Sequence, residues 1–228
     1  MRVVERPGPV TLSVSTWQQP VPPDPSPARE AVLQHVLDRV LLLGRRRLRI
    51  GVDGFTAAGK TSFGHEPAAR TARTGRPVLR ASLDDFKEPW RDRHLYDRES
   101  GEGYHRNAFD NAAVRRLLLE PAAPGGSGEV ALCSIDPLTQ RDHSSVVSVA
   151  AEDAVLVVDG VFAFRPEIDD CWDLRVWLEV DADRSVQRGT HRDGGRVARR
   201  RRRCTATATC RPSGSTSRRA TRSAGPTW

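Results

Sequence analysis

The sequence predicts an α/β fold with a mostly parallel, doubly wound sheet. Strand-like apolar runs alternate with helical stretches along the chain. Two of those runs, 154–159 (AVLVVD) and 174–180 (LRVWLEV), are continuous in the manner of strands covered on both faces. The first strand leads directly into a glycine-rich turn. A length of 228 residues suits one domain of ordinary size, and 38% hydrophobic with 29% charged residues is the composition of a soluble globular chain. No apolar run approaches the ~18 residues of a membrane-spanning helix, which argues against a membrane partner. The opening MRVVERPGPV lacks the apolar centre of a secretory signal. Cys133, Cys171, Cys204 and Cys210 show neither metal-ligand spacing nor the density of a disulfide scaffold. A reducing, cytoplasmic setting is expected.

Residues 1–26 are rich in Pro, Ser and Val without a period, and VPPDPSP reads as an extended segment with no core. A domain is expected over 27–194. Ser26 and Pro27 supply an N-cap and a first-turn proline, after which Val32, Leu33, Val36, Leu37, Val40 and Leu41 recur at helical spacing until Gly44. Leu48, Ile50 and Val52 alternate as in a strand, and 77–83 (PVLRASL) is a second. Asn107 is expected to cap a helix over 108–119, closed by the flexible PAAPGGSGE. EVALCSI and SSVVSVA are expected to be short paired strands. The net charge is +7 with a pI near 10. Residues 195–228 hold ten Arg and no acid, so the tail's +10 leaves −3 for the rest of the chain. The basicity belongs to an Arg-rich tail expected to be disordered, so composition makes no case for nucleic acid on the domain itself.

Gly54-Phe55-Thr56-Ala57-Ala58-Gly59-Lys60-Thr61 fits G-x-x-x-x-G-K-[ST] at every fixed position, between an expected strand and an expected helix, with Ser62 next. A polyphosphate needs many aligned donors at close range, and the amides of such a loop and a helix N-terminus supply them together. In this pattern Lys60 reaches the β and γ phosphates of ATP and the Thr61 hydroxyl ligates Mg²⁺. The motif assigns the three-layer P-loop NTPase fold. Such a site also needs an acid near the metal, and Asp159, ending AVLVVD, is the candidate; an Asp there also suits an ordinary strand-to-loop turn.

The set GVDGFTAAGKTSF, RASLDDF, GEGYHRNAFD and VLVVDGVFAFRPEI, in this order, resembles the uridine kinase and phosphoribulokinase group of P-loop kinases, closest to the uridine and cytidine kinases. The resemblance runs from Arg49 to Asp193. It implies phosphoryl transfer from Mg-ATP to a hydroxyl of a small molecule, most of all a nucleoside. By the same likeness Asp84 is the carboxylate that takes the acceptor's proton, a role that makes an alcohol nucleophilic as the bond to phosphorus forms. Asp85 stands beside it, and adjacent acids also serve as caps or in a solvated turn. Tyr104, His105 and Arg106 match acceptor-contacting positions, with a packed ring and a surface imidazole as the plainer reading. Asp110 also suits a helix's first turn. Arg188 and Arg192 match a lid whose cations fold over the phosphates; four residues apart, they also suit an exposed helix face.

Two departures from the pattern carry expectations. Pro67 lies inside the helix after the loop, where a proline costs ~3 kcal/mol unless the helix kinks or stops. From Ala198 the chain offers no apolar face, and its Arg, Thr, Ala, Ser, Gly and Pro have GC-rich codons. Shifting the reading frame from Cys204 permits Leu-His-Arg-Asp-Arg-Tyr-Leu-Pro, then Ile-Tyr-Val-Ala-Glu and finally Ala-Asp-Leu, which looks like the group's own lid and last strand. A frameshift is therefore expected to have removed the final strand and with it stability and turnover. Two other functions stay open: nucleotide binding without transfer, and a tail that binds nucleic-acid phosphates, although it lacks interleaved aromatics.

Overall fold

The computed structural model describes residues 8–18, 20–92, 95, 97 and 100–181. In chain order the strands are β1 (Val10–Leu12), β2 (Leu48–Gly54), β3 (Val78–Ser82), β4 (Glu129–Ala131), β5 (Val147–Val149), β6 (Val155–Asp159) and β7 (Leu174–Leu178). Helices are α1 (Pro27–Leu42), α2 (Lys60–Ala72), α3 (Gly101–Asn107) and α4 (Asn111–Ala113), the last continuing as a π-helical stretch over Val114–Leu119. Five strands form one sheet in the order β1-β3-β6-β2-β7, and every pairing in it is parallel.

Side-chain alternation gives the sheet two apolar faces, which makes three layers. Leu48, Ile50, Val52, Val78, Val155 and Val157 point to one side, where they pack with Leu33, Val36 and Val40 of α1 and Phe63, Ala68 and Ala72 of α2. Leu79, Ala81, Leu156 and Val158 point to the other, against Val114, Leu118 and Leu119. Each such Val, Leu or Ile contributes ~1.5–3 kcal/mol by leaving water. β6 is buried at all five positions, as its continuous apolar run requires of a central parallel strand. The expected α/β class and parallel doubly wound sheet are thus present.

Local chemistry sets the element ends. Ser26 accepts from the Arg29 amide with Pro27 in the first turn, and α1 stops where Gly44 takes φ +84°. β4 and β5 pair antiparallel, Glu129 opposite Val149, as EVALCSI and SSVVSVA predict.

Two expectations give way, and of the two outcomes expected at Pro67 one is excluded. Residues 8–18 are more than a coreless leader: β1 pairs with β3 through Val10–Val78, Thr11–Leu79 and Leu12–Arg80, and Ser15 is buried. Asn107 ends a helix instead of starting one. Ser100 caps α3, accepting from the Gly103 amide at 3.0 Å. The chain then extends so that Phe109 can bridge to Lys87 and bury its ring, and Asp110 caps the next helix through the Ala113 amide at 2.8 Å. Pro67 does not stop its helix. α2 runs to Ala72, and burial of Phe63, Pro67, Ala68 and Ala72 offsets the lost hydrogen bond.

Among the described residues no helix is long and apolar enough to cross a membrane. The expected lid, the final strand and the tail from 195 to 228 lie outside the described residues.

Candidate active site

Parallel strands bring their carboxyl ends to one edge, and the Gly-rich loop, Asp84 and Asp159 each lie at or just past a strand end there. The loop after β2 turns into α2 with Gly54 at φ +148° and Gly59 at φ +92°. A Cβ on Gly54 would stand 2.5 Å from the Leu178 carbonyl oxygen, so that position is closed to side chains on two counts. The Lys60 ammonium donates to the carbonyls of Gly54 at 2.9 Å and Phe55 at 2.8 Å, holding it across the mouth of its own loop.

Thr61 follows in the first turn of α2 and donates its hydroxyl to Asp159 Oδ2 at 2.5 Å. Asp159 ends β6, and its Oδ1 accepts from Arg80 Nη2 at 2.6 Å. Arg80 is nearly buried within β3 and also donates to the carbonyls of Thr61 and Val157, both at 3.1 Å, and of Ala81. The space for its guanidinium comes from Gly64 of α2, where a Cβ would meet Nη2 at 2.2 Å.

β3 leads to the third element of the site. Ser82 accepts from the Asp84 amide at 3.3 Å and starts a short 3₁₀ turn over Leu83–Phe86. That turn presents Asp84 to the cleft and sends Asp85 inward. Asp84 Oδ1 pairs with the Lys87 ammonium at 2.6 Å. Asp85 is 1% exposed; burial pushes its carboxyl up to about 7 against hydrogen bonds from Ser15 and Ser13. It faces the segment before α1 and is absent from the cleft lining.

The cleft has an empty volume of about 730 Å³, counting its open mouth. Thr56, Ala57, Gly59, Lys60, Thr61 and Ser62 line it on the loop side, and Asp84, Lys87 and Tyr104 line it from the β3 side, with Asp159 between. Gly54, Phe55 and Ala58 shape the loop without lining the cleft; the Phe55 ring lies edge-on to Trp177 at 5.7 Å. Of the three positions at 104–106 only Tyr104 reaches the cleft. His105 packs its ring on Phe162 at 4.8 Å, and burial first, then Arg165, lowers its pKa. Arg106 is exposed and pairs with Glu102 along α3. Arg188 and Arg192 lie outside the described residues.

Four residues enter that motif reading missed. Asp53 precedes the loop and accepts from the amides of Gly54 (2.7 Å), Phe162 (3.1 Å) and Phe164 (3.1 Å), tying the loop to the turn after β6. Burial raises its pKa against those bonds and the charge of Lys60. Arg80 was legible as a lone charge inside an apolar strand. Lys87 is one of the chain's two lysines. Trp17 carried no signal at all.

The oxygen donors fit a magnesium ion. Thr61 and Asp159 converge beside the loop, and Mg²⁺ is commonly held by one or two protein oxygens with phosphate and water completing the shell. Among the described residues no group of three or more His, Cys, Asp or Glu could hold a metal by itself.

No family model matches the chain. It is 28% identical over 145 residues to a uridine kinase of Halobacterium salinarum, covering 63% of this chain and 61% of that protein. It is 24% identical over 156 residues to a uridine kinase of Leuconostoc citreum, covering 66% and 70%. The first match thus spans less than two thirds of the relative's length. Among solved structures, a possible uridine kinase from Bacillus stearothermophilus aligns with a TM-score of 0.57 at 20% identity over 69% of this chain and 85% of that one. A protein provisionally named a fructose transport system kinase, from Silicibacter sp. TM1040, aligns with the same score at 19% identity over 79% and 94%. The motif resemblance is borne out: in sequence the chain is similar to uridine kinases, and it shares its α/β fold with P-loop kinases of known structure.

Proposed function

We propose that the chain is an ATP-dependent kinase that transfers a phosphoryl group to a hydroxyl of a small molecule, a nucleoside above others. The observation that carries this reading is the facing arrangement in one cleft: Lys60 and the Thr61–Asp159 pair on one side, Asp84 on the other. The likeness to proteins named uridine kinase supports both the chemistry and the acceptor class.

In this reading the loop amides and Lys60 hold the β and γ phosphates, and Thr61 and Asp159 hold Mg²⁺. The ion, when bound, neutralises charge on the transferring group. Asp84 orients the acceptor hydroxyl and takes its proton as the O–P bond forms and the bond to the β-phosphate oxygen breaks, leaving ADP. Lys87, paired with Asp84, fixes the carboxylate's direction beside the acceptor. Arg188 and Arg192 would add positive charge over the phosphates from a lid.

Calorimetry and acceptor-dependent ADP release test the reading together, on this chain and on a version with the shifted frame restored from Cys204. Lys60→Ala is expected to abolish Mg-ATP binding. Asp84→Asn is expected to keep that binding and lose ~10²–10⁴ in kcat. ATP binding with no acceptor-dependent ADP release in either version would establish the alternative, a nucleotide-binding protein without transfer.

A further inference from the structure

The strand order places a residue outside every motif on the acceptor's side of the cleft. Reading along the sheet edge, the phosphate loop follows β2, Asp159 ends β6, Asp84 follows β3, and the last strand on that side is β1. Whatever body carries a hydroxyl at Asp84 must extend away from the phosphates, and the next element in that direction is the segment leaving β1. Trp17 lies on it and lines the cleft together with Asp84, Lys87 and Tyr104.

That segment is latched to the domain at several points. The Ser13 amide donates to the Arg80 carbonyl at 3.1 Å, continuing the β1–β3 pairing past its last registered residue. The Thr16 amide donates to Asp136 Oδ2 at 2.6 Å. Asp136 is fully buried, and although burial opposes its charge, amides of Thr139, Thr16 and Leu138 hold its carboxyl below the usual range. The Trp17 amide donates to Ser15 Oγ at 3.1 Å, and Gln18 Nε2 closes the turn on the Ser15 carbonyl at 2.9 Å. Holding an indole in place before binding lowers the ordering cost of any ligand that meets it.

Chemistry then names the ligand. Trp17 and Tyr104 are the aromatic side chains in a lining otherwise made of Val161 and of small, hydroxyl and charged residues. A half-buried indole beside a carboxylate and an ammonium offers a flat face to one part of a ligand whose other part is polar. We propose that Trp17 is a specificity-determining residue whose indole stacks on a planar ring carried by the acceptor, so that the cleft selects nucleosides over ring-free or purely sugar alcohols. The assignment rests on the reading of the cleft as a kinase site, and it makes the segment before α1 part of that site.

The test uses the full chain, titrated in the presence of Mg²⁺ and a non-hydrolysable ATP analogue with uridine, cytidine and, as the control without a planar ring, ribose. Trp17→Leu keeps apolar bulk without a π face, and Trp17→Phe keeps a smaller face. Trp17→Leu is expected to weaken uridine and cytidine by about tenfold while ribose and the analogue stay within about twofold, and Trp17→Phe is expected to retain most of the nucleoside affinity. Nucleoside affinity unmoved in Trp17→Leu, an equal loss for ribose, or a wild-type chain that binds the analogue but neither nucleoside overturns the assignment. If analogue binding also vanishes in Lys60→Ala, those results leave the kinase reading standing; analogue binding that survives Lys60→Ala overturns that reading and this one with it.

Discussion

Replacing Asp159 by Asn removes one partner of an ion pair that is almost completely buried: the side chains of Arg80 and Asp159 are 4% and 2% exposed. Deleting one member of such a pair costs about 3–5 kcal/mol, because the remaining charge stays in a poorly solvating interior. Here the guanidinium keeps the carbonyls of Thr61, Val157 and Ala81, and an amide oxygen can still accept one bond, so the lower figure applies. A loss of about 3 kcal/mol is a large share of the 5–15 kcal/mol typical of a whole domain. At ~2 kcal/mol per molar urea it moves the unfolding midpoint down by about 1.5 M. Arg80→Met should also destabilise, leaving the Asp159 carboxylate with Thr61 alone. The double variant should then lose at least ~2 kcal/mol less than the two single losses added together. Urea melts at fixed pH of the parent and the three variants check this. If Asp159→Asn melts within about 1 kcal/mol of the parent, or if the two losses simply add, the pair does not hold Asp159 in place and the account of β3 and β6 is wrong.

Two further outcomes follow from neighbouring groups. Asp85 holds its proton to about pH 7 in the fold but only to about 3.8 unfolded, so the folded state binds the extra proton and stability falls as pH rises between those values. Asp85→Asn should flatten that fall and stabilise the chain at pH 8 by up to about 4 kcal/mol relative to its effect at pH 4, read from urea midpoints across the range; parallel pH profiles for parent and variant would contradict it. Gly64→Ala drives a methyl onto the Arg80 guanidinium, which is pinned and cannot yield as a free side-chain end would. It should cost about 1–3 kcal/mol in the parent and much less when Arg80 is already Met, and an equal cost in both backgrounds would refute the steric argument.

What the sequence discloses here is chemistry that acts over a few residues. The glycine-rich loop after β2 is legible because Gly54 and Gly59 meet backbone demands set within the loop itself. β6 is legible because burial on both faces leaves no room for polar alternation. β1 is not legible: it has three residues, all exposed, and owes its existence to the free edge of β3. No local signal reports an edge some seventy residues away. The start of α4 was misplaced for a related reason. Asn107 and Asp110 are both good caps, and the choice was made by Phe109, whose burial pulls the chain out of helix between them.

The same distinction separates the parts of the candidate site. Lys60, Thr61, Asp84 and Asp159 each carry a signature of their own, whereas Asp53, Arg80 and Trp17 matter only through partners distant in sequence. Asp53 joins the loop to amides more than a hundred residues on, and Arg80 fixes an acid 79 residues away. Both are held by interior geometry, and neither lines the cleft. Trp17 differs from them because it faces the cleft. A parallel sheet collects groups at one edge in the spatial order of its strands, and that order is independent of the order in the chain. The strand met first stands at one end of the sheet, and the segment that follows it brings Trp17 to the cleft. If the indole there meets the acceptor, substrate choice in this protein is set by the segment with the least motif content.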